Sequence, residues 1–123
     1  MPRPPSTIPT EVELSILNVL WREGPCTVRQ VYDALKETRG TGYSTTLKMI
    51  QVMTEKKLVL KDDSQRPQVY RPAKGEEQTQ LQLVDDLIQR GFSGSAMKMV
   101  LSAVSAQRIS AGEMKQIRDI LKQ

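Results

Sequence analysis

The chain has 123 residues, of which 26% are charged, and its net charge is +4. A chain of this length buries one modest core, or a small domain plus an extension. Because it has no histidine and one cysteine, Cys26, it can form neither a Cys-His or Ser-His nucleophile pair nor an intramolecular disulfide, and a zinc site would lack its usual ligands. We therefore expect no catalysis, no metal, no cofactor and a reducing compartment.

The positive charge is unevenly distributed along the chain. Residues 1–74 contain twelve Lys and Arg against eight Asp and Glu, whereas residues 75–123 contain six of each kind. A basic part joined to a neutral part is typical of a polyanion-binding domain attached to an assembly module. The excess is modest, so a dimer that doubles the phosphate contacts is favoured over a monomer.

The N-terminal residues 1–9, MPRPPSTIP, are rich in proline and lack an apolar core. We expect a flexible segment there rather than a signal peptide or a membrane span. No later stretch is apolar for long enough to cross a bilayer. The sequence therefore predicts no membrane insertion and a cytoplasmic protein.

A first helix is predicted from the capping box Thr10-Glu11-Val12-Glu13 to Gly24-Pro25. Its inward stripe consists of Val12, Ile16, Leu17 and Leu20, with Trp21 at the edge.

A second capping box, from Thr27 to Gln30, predicts a second helix through about Lys36. Its inward side chains are expected to be Val28, Val31, Tyr32 and Leu35. Cys26 comes just before this helix, and we expect a buried or half-buried thiol there.

A third helix follows the linker at residues 40–42, and Ser44 is expected to cap it. Its buried stripe is predicted to be Thr46, Met49, Ile50 and Met53. The opposite face groups side chains that suit base edges, thymine methyls and phosphates, namely Ser44, Thr45, Lys48, Gln51 and Val52.

The segments 58–61 and 68–71 read as two strands, with a turn at residues 62–67 and Pro72 stopping the second strand. Three helices followed by a hairpin predict a winged helix-turn-helix domain over residues 10–74, which usually binds DNA. Polar helix faces also occur on domains that never meet nucleic acid. A winged-helix module that binds another protein and no DNA is therefore the alternative.

Residues 75–123 are predicted to form a second domain of three short helices, at 76–90, 95–106 and from a capping box at residues 110–113 onward. Such short helices bury too little apolar area to be stable alone, so we expect them to pair with a second copy. The alternative is that they fold back on the first domain. The candidate dimerisation residues are Leu81, Val84, Leu87, Ile88, Val100, Leu101, Val104, Ile117, Ile120 and Leu121. The predicted fold class is thus mainly α with a small β-hairpin.

The sequence resembles the penicillinase-repressor and methicillin-resistance-repressor (BlaI/MecI) family, and the related copper-responsive repressors. The resemblance spans nearly the whole chain and is carried by the order and spacing of short pieces. These pieces are residues 13–17, Leu20-Trp21, Gly24-Pro25, Thr27-Val28 with Val31, residues 43–56, Tyr70-Arg71-Pro72, residues 92–95 and residues 109–113.

The resemblance implies a homodimeric transcriptional repressor that binds a palindromic operator in double-stranded DNA. In such proteins the third helix lies in the major groove, and the wing contacts the backbone or the minor groove. Thr45 and Lys48 then become the best candidates for base-edge or phosphate contacts, Arg66 becomes the wing contact, and the start of the second helix becomes a phosphate site. The DNA-binding candidates are Thr27, Arg29, Tyr43, Ser44, Thr45, Lys48, Gln51, Val52 and Arg66.

This chain departs from its relatives at two positions of the reading element. Many relatives have an arginine where this chain has Val52, so we expect an apolar contact there, against a thymine methyl. Relatives usually have a glycine at the position of Lys57, because a helix end favours a left-handed residue. We expect this helix to end differently, without a left-handed lysine.

The resemblance also bears on how repression is relieved. In antibiotic-responsive members a sensor protease in the membrane triggers cleavage of an Asn-Phe bond in the dimerisation domain. The corresponding bond here is Ser102-Ala103, so release by a regulatory protease is a hypothesis. Copper-responsive members have a C-terminal cysteine cluster, and this C-terminus has none, which disfavours copper sensing.

Overall fold

A computed structural model describes residues 8–123, so most of the predicted flexible N-terminal segment, up to residue 7, lies outside the described residues. At the end of that segment Ile8 is half-buried and Pro9 is buried. The elements in chain order are the helices α1 (Glu11–Glu23), α2 (Val28–Arg39) and α3 (Tyr43–Glu55), the strands β1 (Val59–Asp62) and β2 (Val69–Pro72), and the helices α4 (Glu76–Gly91), α5 (Ala96–Ser105) and α6 (Ala111–Leu121). The predicted fold, mainly helical with a small hairpin, is confirmed.

The chain divides into two compact units, one that ends at Gln82 and one from Leu83 to Gln123. The division lies inside α4, so the first turns of this helix belong with the elements that precede it. None of the helices within residues 8–123 is long and apolar enough to cross a membrane.

The first two helices begin at the predicted capping boxes. The Thr10 hydroxyl accepts a hydrogen bond from the Glu13 amide at 3.2 Å, and the Glu13 carboxylate accepts one from the Thr10 amide at 2.8 Å. Thr27 and Gln30 make the same pair of bonds at 3.1 and 2.8 Å. These bonds satisfy amides that have no partner inside the helix.

The end of α2 lies further along the chain than predicted, at Arg39 instead of about Lys36. The next residue, Gly40, adopts a left-handed conformation with φ of 63°, and its amide bonds the Lys36 carbonyl. A residue without a Cβ adopts this conformation at little cost, which fixes the end of the helix.

The core of the first unit lies where α1, α2 and α3 meet the hairpin, and each of its fully buried side chains contributes about 1.5–3 kcal/mol of burial free energy. Its members are Ile16, Leu17, Val19, Leu20, Cys26, Val28, Val31, Ile50, Met53, Val59 and Tyr70. Four side chains that were predicted to point inward, Val12, Tyr32, Leu35 and Met49, are only half-buried. Tyr32 and Leu35 lie at the margin of the α2 stripe, where a helix passes from core to solvent.

The hairpin strands each lie one residue later than predicted, and they pair Val59 with Pro72 and Asp62 with Val69. Cys26 adds a third backbone segment to this sheet. Its amide donates to the Tyr70 carbonyl at 3.0 Å, and the Tyr70 amide donates back at 2.7 Å. The hairpin is therefore held against the start of α2 by a backbone bridge that the local sequence pattern does not report.

Cys26 is buried, as predicted, and its Sγ lies 3.2 Å from the Gly24 carbonyl oxygen. Burial raises the pKa of the thiol, and the nearby negative charge of Glu23 adds to this effect, while Arg22 opposes it. The thiolate is therefore disfavoured.

An ion pair between a buried carboxylate and an exposed lysine joins the start of α1 to the end of α3. Glu13 is 1% exposed, and its Oε2 lies 2.9 Å from Nζ of Lys56. Burial alone would raise the pKa of Glu13, but the bond from the Thr10 amide and the Lys56 ammonium outweigh it, so the pKa is lowered. Glu13 therefore stays charged. Its carboxylate links α1 to α3 through Lys56, and it also caps the start of α1 through the Thr10 amide.

The second unit consists of the remainder of α4 with α5 and α6. Ser95 caps α5 by accepting from the Lys98 amide, and the predicted capping box of Ser110 and Glu113 opens α6. Neither α5 nor α6 contains a buried residue. These helices are thus well defined locally, yet their apolar side chains remain largely exposed in the single chain.

Candidate nucleic-acid interface

Helix α3 presents one polar face to solvent and buries the other. Thr46, Ile50 and Met53 are at most 3% exposed, and they anchor the helix in the core. The exposed residues on the other side are Tyr43, Ser44, Thr45, Lys48 and Gln51, with Val52 half-buried. The structure therefore brings the predicted reading residues together on one accessible helical surface.

The start of α3 differs from the prediction, since Ser44 does not cap it. The cap is Gly42, in an extended conformation and without a side-chain bond. The Gly42 carbonyl accepts from both the amide and the hydroxyl of Thr46, at 3.0 Å each. The helical ladder thus begins at Gly42, which leaves Ser44 inside the first turn with its hydroxyl available to a partner.

The end of α3 contradicts the expectation for Lys57, which is left-handed with φ of 64°. The Lys57 amide donates to the Thr54 carbonyl at 3.1 Å, and the Leu58 amide donates to the Met53 carbonyl at 2.9 Å. These two bonds form a Schellman motif. They satisfy carbonyls at the helix end and offset the cost of about 1–2 kcal/mol that a left-handed residue with a Cβ incurs.

A cluster of aromatic rings and cations lies where α2 meets the first turn of α3. The rings of Tyr32 and Tyr43 are edge to face, with centroids 5.7 Å apart. The Arg29 guanidinium lies 5.5 Å from the Tyr32 centroid and 6.0 Å from that of Tyr43, and Nζ of Lys36 lies 5.8 Å from the Tyr32 centroid. These contacts hold Tyr43 and Arg29 in place at the edge of the reading face.

Sequence reasoning missed Tyr32 as part of this cluster, because the apolar stripe predicted it to point into the core. The spacing of Arg29, Tyr32 and Lys36 is a usable signal, since side chains three and four residues apart on a helix are neighbours. The contact with Tyr43 had no such signal, because it depends on how two helices pack.

A cleft of about 210 Å³ separates the start of α2, the start of α3 and the wing. Its lining residues are Thr27, Val28, Arg29, Tyr43, Leu47, Pro67, Gln68 and Tyr70. The structure therefore places Thr27, Arg29 and Tyr43 beside the wing residues Pro67 and Gln68. The two wing residues were not among the predicted contacts.

The start of α2 retains donors for an anion. The amide and hydroxyl of Thr27 are occupied by Gln30, so Thr27 acts as a cap. The amides of Val28 and Arg29 have no hydrogen-bond partner within residues 8–123. Amides at a helix start are suited to hold a phosphate. The Arg29 guanidinium belongs to the same turn, and its Nε lies 3.5 Å from a carboxylate oxygen of Asp33, so a phosphate would share this cation with Asp33.

The wing exposes cations while its acids are engaged locally. Asp62 accepts from the hydroxyl and the amide of Ser64, at 2.6 and 2.9 Å, and these two bonds lower the pKa of Asp62. Asp63 lies 3.8 Å from Nζ of Lys61.

Arg66 and Arg71 are exposed and form no ion pair within the described part of the chain. Arg71 is a cation that the sequence analysis did not select, although its neighbour Tyr70 is buried and strand alternation directs the two to opposite faces.

The candidate dimerisation residues lie on α4, α5 and α6, and most are exposed in the single chain. The most exposed candidates are Leu81 on α4, at 66%, and Leu121 on α6, at 78%. The other exposed members are Val84, Leu87, Val100, Leu101, Val104 and Ile120, whereas Ile88 and Ile117 are half-buried. The candidate cleavage bond, Ser102-Ala103, lies inside α5.

The chain is similar to known proteins over most of its length. The family model described as Penicillinase repressor matches residues 9–123. The chain is 34% identical over 113 residues to the transcriptional regulator BlaI of Mycobacterium tuberculosis strain CDC 1551 / Oshkosh. The aligned residues make up 90% of this chain and 80% of that protein. The regulator of the same name from strain ATCC 25618 / H37Rv gives the same identity and coverage.

Proposed function

The chain belongs to the penicillinase repressor family and is a transcriptional repressor of that type, and we propose that it acts in the cytoplasm as a homodimer on an inverted-repeat operator in double-stranded DNA. The observation that carries this proposal is the exposed polar face of α3, anchored from behind by core residues and flanked by the cationic start of α2 and by the wing.

In the proposed complex α3 lies in the major groove, which is wide enough to admit a helix. Thr45 and Lys48 meet base edges or adjacent phosphates, and Ser44 and Gln51 lie beside them. Val52 is half-buried, so it offers only part of its apolar surface, at the edge of the face, to a thymine methyl.

Phosphate contacts fix the register of the helix on the duplex. The start of α2 supplies the Arg29 guanidinium together with unpaired amides, and Tyr43 contributes its hydroxyl from the adjoining cluster. Arg66 supplies the contact from the wing. All of these groups lie in the unit that ends at Gln82, which is consistent with the excess of positive charge in residues 1–74.

The proposed dimer is formed by the apolar side chains of α4, α5 and α6. Their exposure in one chain supports pairing, because large apolar side chains gain free energy when a partner removes them from water. Two recognition helices held by the dimer would lie about 34 Å apart, one turn of DNA, so a palindromic operator mirrors the two-fold symmetry. Without dimerisation each half-site would be bound only weakly.

Relief of repression by cleavage at Ser102-Ala103 stays a prediction. The Ser102 carbonyl accepts from the Ala106 amide at 2.9 Å, and the Ala103 carbonyl accepts from the Arg108 amide at 3.0 Å. A protease would therefore have to unwind the end of α5 before it could cleave this bond.

Two alternatives remain distinct from this proposal. An enzyme that uses Cys26 is disfavoured because the thiol is buried and its pKa is raised. A winged-helix module that binds protein and no DNA would leave the unpaired cations of the interface without a phosphate partner.

Selection of bound fragments from genomic DNA tests the proposal. We expect the bound fragments to share a palindrome that the protein protects in a footprint. Affinity should fall about a thousand-fold or more between 50 and 200 mM salt, as six or more phosphate contacts require. Absence of duplex binding even at low salt would reject DNA binding and favour the protein-interaction module.

A further inference from the structure

A cavity of about 240 Å³ lies in the first unit, away from the residues assigned to DNA. It is bounded by the segment before α1, the end of α3, the end of the hairpin and the first turns of α4. The lining residues that determine its chemistry are Leu17, Lys56, Lys57, Leu58, Lys74 and Thr79. None of them belongs to the proposed DNA interface or to the candidate dimer residues.

The walls combine apolar surface with positive charge. Among the described residues that line the cavity, three are lysines and none is acidic. Lys56 is paired with Glu13, but Lys57 and Lys74 form no ion pair within residues 8–123. A lysine offers an apolar stem as well as an ammonium group, so these residues suit a ligand with an apolar body and an anionic head.

Thr79 adds a polar group to the wall of the cavity. It is 3% exposed, lines the cavity, and its hydroxyl makes no hydrogen bond within the described part of the chain. Two threonines of α3, the buried Thr46 and the half-buried Thr54, differ from Thr79. Their hydroxyls donate to backbone carbonyls one turn earlier in the helix. No fully buried side-chain nitrogen or oxygen within residues 8–123 lacks a hydrogen-bond partner, so this hydroxyl retains accessible surface and is available to a polar atom inside the cavity.

We propose that this cavity binds a small organic carboxylate with an apolar body of roughly six to ten carbons, since an apolar cavity of about 150 Å³ already holds benzene. The body occupies the space beside Leu17 and Leu58. The carboxylate meets the ammonium groups of Lys57 and Lys74 and accepts from the Thr79 hydroxyl.

The position of the cavity couples the ligand to the reading helix. Lys57 is the left-handed residue that ends α3, and Lys74 follows the hairpin. A bound carboxylate neutralises positive charge in the unit that carries the proposed DNA interface. We therefore expect the ligand to lower operator affinity at low salt through the electrostatic field of the unit, without loss of a phosphate contact. This coupling rests on the proposed DNA-binding function, whereas the ligand site itself does not.

Octanoate is the probe, with octanol as the uncharged control, and binding to the full chain is followed by amide chemical shifts and calorimetry in the absence of DNA. We expect saturable binding of one octanoate per chain, with the largest shifts at the lining residues. Octanol should bind at least ten-fold more weakly. The double variant Lys57→Gln with Lys74→Gln should bind octanoate about ten-fold more weakly, and Thr79→Val should also weaken binding.

The matched control is the variant Lys61→Gln, which removes a lysine outside the cavity and should leave octanoate binding unchanged. Equal affinities for octanoate and octanol would overturn the proposal, as would unchanged binding in the double variant or shifts confined to other residues. The proposal would also be wrong if a second copy of the chain filled the cavity and prevented octanoate from binding. Because this titration contains no DNA, a failure of operator binding would reject the proposed function without altering the outcome here.

Discussion

Lys48 lies on the exposed face of α3 and forms no ion pair within residues 8–123. The variant Lys48→Ala removes a cation that our account places against a base edge or a phosphate. We expect operator binding to weaken by about 1–3 kcal/mol per half-site. Thermal stability should be unchanged within about 0.5 kcal/mol, because the substitution is on the surface. Titration of labelled operator and a melting curve provide the two measurements.

The matched control for Lys48 is Lys115→Ala, which removes an exposed lysine from α6, outside the reading unit. It should leave operator affinity nearly unchanged. A large drop in melting temperature for Lys48→Ala would instead show that Lys48 stabilises the fold.

The sequence was sufficient to place individual residues of α3 on the correct face. The rotation of about 100° per residue separates Thr46, Ile50 and Met53 from Thr45 and Lys48, and burial in the structure follows this separation. The role of Ser44 could not be predicted in the same way. Whether Ser44 caps α3 depends on where the helical backbone begins. The Gly42 carbonyl accepts the first hydrogen bond of the helix, so the helix begins before Ser44.

Contacts between residues far apart in sequence were beyond local prediction. The ion pair of Glu13 with Lys56 and the ring contact of Tyr32 with Tyr43 depend on how helices pack. Periodicity identifies which side of a helix is buried, but it does not identify the partner across the interface.

At the scale of the element, the end of α3 provides a test of backbone strain. Lys57 adopts φ of 64°, where a residue without a Cβ is favoured. The variant Lys57→Gly should therefore stabilise the protein by about 0.5–1 kcal/mol. Chemical denaturation measures this difference as an upward shift of the midpoint with an unchanged slope.

The comparison variant for Lys57→Gly is Glu55→Gly, at the last helical residue of α3. There the backbone is helical, so glycine should cost up to about 1 kcal/mol. Destabilisation by both substitutions would show that Lys57 is not strained.

Element boundaries were predicted best where the determinants are adjacent in sequence. The capping boxes at Thr10, Thr27 and Ser110 place three helix starts correctly, because each box joins residues three apart. The strands were displaced by one residue, since their register depends on cross-strand pairing and on the bridge from Cys26 to Tyr70.

At the scale of the whole molecule, the proposed dimer depends on side chains that one chain leaves exposed. Leu87 lies on α4 and is 49% exposed. The variant Leu87→Asp would bring a charge into the proposed apolar interface, where an unpaired charge is strongly disfavoured. We expect sedimentation to report monomers for this variant and dimers for the unaltered chain.

The neighbouring variant Gln89→Asp introduces the same charge at an exposed polar position of the same helix. It should leave the sedimentation mass unchanged. A dimer of normal mass for Leu87→Asp would remove Leu87 from the interface.

The organisation of the molecule was only partly accessible from composition. The loss of net charge after residue 74 indicated a change of module, but the structure divides the chain inside α4, after Gln82. Trp21 accounts for part of this difference, since its indole donates to the Lys74 carbonyl at 3.0 Å. This bond ties the segment before α4 to α1, and charge counting cannot reveal it.

In the proposed complex, two copies of α3 read two half-sites on the same face of DNA. The most direct measurement is the affinity for the selected operator before and after insertion of five base pairs between its half-sites. The insertion turns one half-site to the opposite face of the duplex, since one turn is about 10–10.5 base pairs. We predict that affinity falls at least ten-fold, toward that of a single half-site. Unchanged affinity after the insertion would contradict a symmetric dimer as the reading form.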